Sequence, residues 1–300
     1  MDYFFELFFG GLTRGSIYAL IALGYTMVYG IIELINFAHG EIYMIGAFTA
    51  LIAASALSLL GLTGPSLLIL AGLIAVVYSA AYGFTIEKIA YKPLRKAQRL
   101  SPLISAIGMS IFLQNYVLLA QTSDFLSFPT LVDEFAFMEP VSHIMRSSEL
   151  LIVVTTAIAT VLLTLFIKFS RMGKAMRATA QDKTMAMLLG IDINRVISVT
   201  FIIGSALAAV GGVLISNHIG QINFYIGFIA GIKAFTAAVL GGIGSIPGAM
   251  LGGVVLGLAE SFASAYLQTE YKDVVAFTLL ILVLLVRPTG LLGRPDVEKV

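Results

Sequence analysis

Nine runs of apolar residues, separated by short polar stretches, account for most of this 300-residue chain. They fall at roughly 15–32, 42–60, 66–86, 102–121, 150–168, 196–216, 226–239, 248–267 and 274–286. A helix needs about 20 apolar residues to cross a hydrocarbon core. The seventh and ninth runs are short of that, which predicts that one of them is re-entrant or broken. Ahead of the first run, residues 3–12 read as an amphipathic lead-in lying along the membrane surface. The pattern predicts an all-α fold in a single domain over residues 1–300. It is a polytopic transmembrane helical bundle with about 8–9 membrane segments, some of them broken or re-entrant.

Composition places the chain in the same class. Apolar residues make up 59%, charged residues 12%, and the mean hydropathy is +0.97, whereas soluble domains run at roughly 45–50% apolar and about 25% charged. A net charge of only +1 argues against a nucleic-acid partner. Cysteine is absent, which excludes disulfides, thiolate nucleophiles and Cys-ligated metals. The three histidines, His39, His143 and His218, are too dispersed along the chain to suggest a metal site. Met1 to Glu6 lacks the basic start of a cleavable signal peptide, so the first apolar run reads as retained. Trp is also absent, leaving an interfacial aromatic belt to the twelve Tyr.

The charges orient the bundle. Fourteen of the eighteen basic residues fall on three polar stretches. Lys88, Lys92, Arg95, Lys96 and Arg99 follow the third run, Lys168, Arg171, Lys174, Arg177, Lys183 and Arg195 follow the fifth, and Arg287, Arg294 and Lys299 close the chain. Alternating crossings put these on one side, which the positive-inside rule reads as the cytosol. Asp2, Glu6, Asp124, Asp133, Glu134, Glu139, Glu149, Glu270 and Asp273 fall on the other side. The longest outer stretch, residues 122–148 with Pro129 and Pro140, is a periplasmic loop long enough for a small cap that could dock an outer partner.

Three polar interruptions carry candidate chemistry. Residues 171–192 form a basic cytoplasmic loop in which Met185, Leu188 and Leu189, at i, i+3, i+4 spacing, put an apolar stripe on a short helix outside the bilayer. Such a stripe suits a docked partner. Between the first two runs, Glu33, Asn36, His39 and Glu41 lie within nine residues. They read either as a solvated turn capping the next helix or as a pathway-lining gate. Residues 241–257 hold seven glycines but no Gly-Lys-Ser/Thr ending, so they are no phosphate loop. Gly248/Gly252 and Gly253/Gly257 read as close-packing pairs, and the turn at 244–248, with Ser245 and Pro247, as a helix break suited to a gate or subunit seam. Glu260 and Lys233 are the ionisable residues expected deep in the crossings. They stand 15 residues after and 12 before Ser245, and in an antiparallel pair they reach similar depth and form an ion pair.

Together the Asn36-Phe-Ala-His-Gly-Glu41 turn, the 173–190 loop, the Val239-Leu-Gly-Gly-Ile-Gly-Ser-Ile-Pro-Gly-Ala-Met-Leu-Gly-Gly253 run and the Arg287-Pro-Thr-Gly-Leu-Leu-Gly293 ending closely resemble the LivH-type permeases of branched-chain amino acid ABC importers. The resemblance implies a multi-pass subunit of a bacterial inner membrane with no cofactor of its own. Its partners would be a homologous second permease, two cytoplasmic ATPases that bind ATP and Mg, and a periplasmic solute-binding protein. It also implies that residues 184–189 are the helix coupled to the ATPase, with Arg177, Ala180, Asp182, Thr184, Met185, Leu188, Leu189 and Gly190 on that surface. Asn36, His39, Glu41, Ser245, Pro247 and Glu260 are the expected path or gate residues. The same architecture carrying urea or short amides, and a secondary carrier working alone, are the alternatives.

Overall fold

The computed structural model describes residues 2–95, 97–98, 100–132, 134, 139 and 144–293. Of the charges used to orient the chain, Lys96, Arg99, Asp133, Arg294 and Lys299 lie outside the described residues, as do His143 and Pro140. Every predicted apolar run sits in a helix: α1 Asp2–Ile32, α2 His39–Ser58, α3 Gly64–Ile86, α4 Leu100–Ala120, α5 Ser147–Phe169, α8 Ile193–Ile219, α9 Ile226–Gly241, α10 Ile246–Tyr266 and α11 Lys272–Val286. Two further helices, α6 Arg171–Gln181 and α7 Lys183–Leu188, occupy the basic loop. Seven of the nine are long and apolar enough to cross a membrane. The short ones are α9, with 16 residues, and α11, with 15.

The lead-in at residues 3–12 is not a separate surface helix. It is the first third of α1, which runs unbroken for 31 residues, or about 46 Å at 1.5 Å per residue. No proline or turn signal interrupts residues 2–32, so nothing stops helix propagation there. α1 is the axis of the bundle, with α2, α5, α8, α9 and α10 all packed on it. By contrast α3, α4 and α5 leave most of their apolar surface outward, as helices facing lipid do.

In lipid the hydrophobic effect no longer drives helix association, so close backbone approach takes over. The two glycine pairs of α10 do this on two different neighbours. A Cβ on Gly253 would come within 2.8 Å of the Ala19 Cα on α1, and one on Gly15 within 2.7 Å of the Gly253 carbonyl oxygen. On the other face, a Cβ on Gly252 would stand 2.9 Å from the Gly241 Cα of α9. The glycine run is thus a two-sided seam clamping α10 between α1 and α9.

All the described basic stretches gather at one end. Arg95 donates to the Asn194 Oδ1 at the start of α8, and Lys183 Nζ donates to the Ile32 carbonyl at the end of α1, 3.2 Å away. The C-terminal Leu291 and Leu292 N–H groups donate to the Leu240 and Gly241 carbonyls, each at 2.9 Å. Beyond α3 the chain continues through a π-helical turn, Glu87–Tyr91, and a 3-10 turn, Lys92–Leu94. At the opposite end the outer segment is stapled rather than free. Leu126–Ser127 pairs antiparallel with Gln221–Ile222, and the Leu131 N–H donates to Asn217 Oδ1 at 2.9 Å.

Leu substituted for Gly253 or Gly257 should overpack the seam by about 1–3 kcal/mol or more and sharply reduce recovery of monodisperse protein in detergent. Gly108→Ala on α4, where a Cβ meets nothing within 4 Å, should leave recovery unchanged in the same size-exclusion assay.

Candidate functional site

The first polar interruption folds into the bundle instead of capping a helix in solvent. α1 stops at Ile32, Glu33 takes a left-handed φ of 62°, and residues 33–38 lead the chain back inward. α2 then starts at His39 with no side-chain cap. His39 lies edge-on to Tyr25 at 4.9 Å, against the Cβ-less face of Gly24. Asn36 Oδ1 accepts from the Tyr91 hydroxyl and Glu41 Oε1 from Ser110 Oγ, at 2.8 and 3.0 Å. Asn36, His39 and Glu41 are buried while Glu33 is exposed. The solvated-turn reading therefore fails for the three that matter. Irregular backbone inside a bundle is tolerated where protein encloses it, and here α1, α4, α8 and α9 and the π-helical turn do so. Asn36 Nδ2, His39 Nε2 and Glu41 Oε2 have no hydrogen-bond partner among the described residues, so each has spare capacity.

The second break is shorter than predicted. It spans Gly242 to Ser245, and Pro247 and Gly248 already belong to the first turn of α10. Proline fits there because early helical N–H groups have no partner to lose. Ser245 is the N-cap, accepting from the Gly248 N–H at 3.2 Å. Gly242 and Gly244 take φ of 104° and 91°, which favour glycine. This turn lies at the basic end of the bundle beside Gly30, and its Ile243 lines one small cavity with Ile35 of the re-entrant segment.

Glu260 belongs to a third place. Lys233 Nζ sits 2.8 Å from Glu260 Oε1, as the register predicts, and also 2.8 Å from Asp273 Oδ1 on α11. The Tyr18 hydroxyl donates to Glu260 Oε2 at 2.8 Å. Asp273, expected among the outer surface charges, is half exposed and is also the second counter-ion of Lys233. Three more charges depart from the expectation that Lys233 and Glu260 are the ionisable residues of the crossings. Arg14 lies within α1, Glu41 is fully buried, and Glu87 is fully buried with Arg95 and Ser198 on its two oxygens. Sequence reasoning missed Tyr18, Ser110 and Tyr91 as well. Their hydroxyls reach polar atoms far along the chain, and no local spacing signals that.

The basic loop projects a two-helix knob. Ser170 caps α6, accepting from the Gly173 N–H at 2.8 Å, and Asp182 caps α7, accepting from Thr184 and Met185 N–H groups at 2.8 and 3.0 Å. Met176 and Ala186 are buried and anchor the knob, while Arg177, Ala180 and Thr184 are exposed. Met185, Met187, Leu188 and Leu189 stand 59, 57, 78 and 80% exposed at the basic end. Met187, outside the predicted stripe, extends it. Gly190, at φ 82°, ends the helix with open space around it.

These features converge on a single family. The sequence pattern described as branched-chain amino acid transport system / permease component matches residues 7–284. The chain belongs to that family. It is 57% identical over 302 residues to the high-affinity branched-chain amino acid transport system permease protein LivH of Escherichia coli K12, covering 99% of this chain and 98% of that one. It is 58% identical over 294 residues to the corresponding permease protein BraD of Pseudomonas aeruginosa, covering 97% and 96%. A probable branched-chain amino acid transport permease of Methanocaldococcus jannaschii is 26% identical across 95% of this chain and 91% of its own. No solved structure matches.

Removing one member of a buried ion cluster costs about 3–5 kcal/mol by stranding the others. Lys233→Met should therefore lower thermal stability and yield, and Glu260→Gln in the same chain should recover it only in part, because Asp273 remains unpaired. Adding Asp273→Asn to that pair should bring the melting temperature back toward the parent's, as read by fluorescence-detected size exclusion.

Proposed function

We propose that this chain is the translocation subunit of an ATP-driven importer that carries branched-chain aliphatic amino acids across a bacterial inner membrane. The near end-to-end identity to LivH and BraD carries this reading. In it, a periplasmic binding protein delivers the amino acid, a homologous second permease completes the path, and two cytoplasmic ATPases supply the work. The subunit performs no bond chemistry of its own.

The exposed stripe of α7 supports the coupling role. Burying about 150–250 Å² of it in an ATPase cleft, at ~25 cal/mol/Å², would contribute roughly 4–6 kcal/mol before entropic costs. A polar route leads inward from there. Lys183 is tied to the last carbonyl of α1 and, at 3.6 Å, to Glu33. A push on α7 thus reaches both the end of α1 and the re-entrant turn that starts α2. Closure of the ATPases on ATP would move these elements and open the permease pair outward, and hydrolysis would reset it. Asn36, His39 and Glu41, with their spare hydrogen-bonding capacity, and the Ser245–Pro247 turn at the cytosolic end are the proposed moving parts.

Proteoliposomes holding the whole complex and loaded binding protein should accumulate radiolabelled L-leucine only when the ATPase side has ATP. Vesicles holding this chain alone should accumulate none. Leucine uptake by the lone chain, or uptake of urea in place of leucine by the complex, would overturn the assignment. Within the complex, Leu188→Asp places a charge in the docking stripe, and Gly190→Pro forces φ near −65° on a residue held at 82°. Both should leave membrane insertion intact and cut uptake at least about tenfold, a loss of ~1.4 kcal/mol or more. Normal uptake in both would refute the docking role.

A further inference from the structure

Residues 158–174 place an apolar face and a set of unpaired cations side by side at the cytosolic end of the bundle. α5 carries no charge between Glu149 and Lys168. That interval rises about 28 Å at 1.5 Å per residue, close to the roughly 30 Å of a hydrocarbon core, so Lys168 stands at the inner headgroup level. Ile158, Leu162, Leu165 and Phe169 are exposed at i, i+4, i+7 and i+11, which puts them on one outward face of α5. Lys168 stands at the foot of that face, two turns after the exposed Val161, and its ammonium lies 5.4 Å from the centre of the Phe169 ring.

α6 does not lead straight away from the membrane. The chain turns at Ser170, and a Cβ on Gly173 would collide with the Phe166 carbonyl oxygen and the Ile167 Cα. The start of α6 is therefore level with the last turn of α5, at the depth of the headgroups. Gly173, Met176 and Thr179 form its buried side, and Arg171, Lys174 and Arg177 lie on its exposed side. Arg177 donates to the Lys168 carbonyl at 3.3 Å, so the basic stripe borders the foot of α5.

The stripe is not neutralised by its surroundings. Residues 168–181 contain no Asp or Glu, and Lys168, Arg171, Lys174 and Arg177 form no ion pair among the described residues. α6 packs on α1, α5, α7 and α8. The acidic groups at the adjoining ends of those helices are engaged: Glu33, after α1, pairs with Lys183, while Asp182 and Asp192 cap α7 and α8. Arg195 at the start of α8 adds a further cation.

Excess positive charge directly below an apolar face fits one kind of partner. An anionic phospholipid brings a phosphate for the cations and acyl chains for the face, and basic clusters at the cytosolic ends of membrane helices attract such lipids. A soluble subunit could meet the cations but could not follow the face below the headgroups. We propose that Lys168, Arg171 and Lys174 seat the phosphodiester headgroup of an anionic phospholipid whose acyl chains lie along α5. Arg177 stays on the α5 carbonyl and braces the turn. Because α6 runs directly into α7, the seated headgroup fixes the base of the exposed Met and Leu stripe.

The test uses this chain with the subunits that copurify with it, in detergent, and phosphatidylglycerol with a photoreactive acyl chain as the probe. Label should fall within residues 158–174 of this chain. Excess unlabelled phosphatidylglycerol should remove it, whereas phosphatidylcholine and inorganic phosphate should not. Lys168→Gln, Arg171→Gln and Lys174→Gln combined should cut the label there at least about tenfold, since each cation near an anionic surface contributes about fivefold. The charge-conserving set Lys168→Arg, Arg171→Lys and Lys174→Arg should keep most of it, and subunit content should match the parent's in both. Label only elsewhere on the chain, displacement by phosphatidylcholine as effective as by phosphatidylglycerol, or unchanged label in the glutamine variant would overturn the seat. Loss of copurifying soluble subunits from the glutamine variant alone would also overturn it, by giving this face to a protein partner. Should that variant fail to insert, displacement on the parent decides.

Discussion

Close backbone contact between α1 and α10 is the constraint on which the other features of this permease subunit depend. Gly15 and Gly253 let the two helices approach closely enough that a single methyl group on either would collide with main chain. In a bilayer no aqueous phase rewards burying leucine against leucine, so such an approach supplies dispersion contacts that lipid tails cannot match. Its consequence is positional. With α10 held against α1 on one face and α9 on the other, Tyr18, Lys233 and Glu260 meet at hydrogen-bonding distance. A looser seam would leave the same three residues as separate, costly polar groups.

The seam also explains why polar residues are tolerated so deep. A buried carboxylate persists only with partners that return what desolvation removes. Glu260 has a lysine and a tyrosine, and Glu87 has Arg95 and Ser198. The Glu260 set draws on helices that are distant in sequence, and Ser198 reaches Glu87 from α8. The glycine-mediated packing that brings these helices together is thus a precondition for the charges, and the charges in turn fix the relative height of α9, α10 and α11.

Much of this was legible in the order of residues. Hydrocarbon thickness sets the length of each apolar run, so all nine runs became helices and the two short ones are α9 and α11. The Lys233–Glu260 pair followed from counting equal distances on either side of a turn. Partners were harder to read where they come from another helix. Asp273 looked like a simple outer charge because nothing local to it signals a lysine partner on α9. Glu41 looked like a turn residue because the chain's return inward after Glu33 rests on one left-handed residue and on enclosure by four other helices. The pairing of Leu126–Ser127 with Gln221–Ile222 joins segments about a hundred residues apart, and two-residue strands carry no periodicity to detect.

Comparing the three carboxylates buried among the described residues separates fixed parts from movable ones. Two have cations, and breaking either would strand a charge. Glu41 has no cation beside it among the described residues, and its hydrogen bond is to Ser110 on α4. Among the described residues α4 is lightly attached to the bundle, touching chiefly α2 and the π-helical turn after α3. The other polar tie near this point, Asn36 to Tyr91, also ends on that turn. Both ties are neutral hydrogen bonds worth about 1 kcal/mol each, with unused donors and acceptors alongside them. The inner start of α2 can therefore exchange partners at small cost, while the α1–α10 seam and the Lys233 cluster stay rigid. That contrast is what a subunit needs if it is to change shape around a stationary axis.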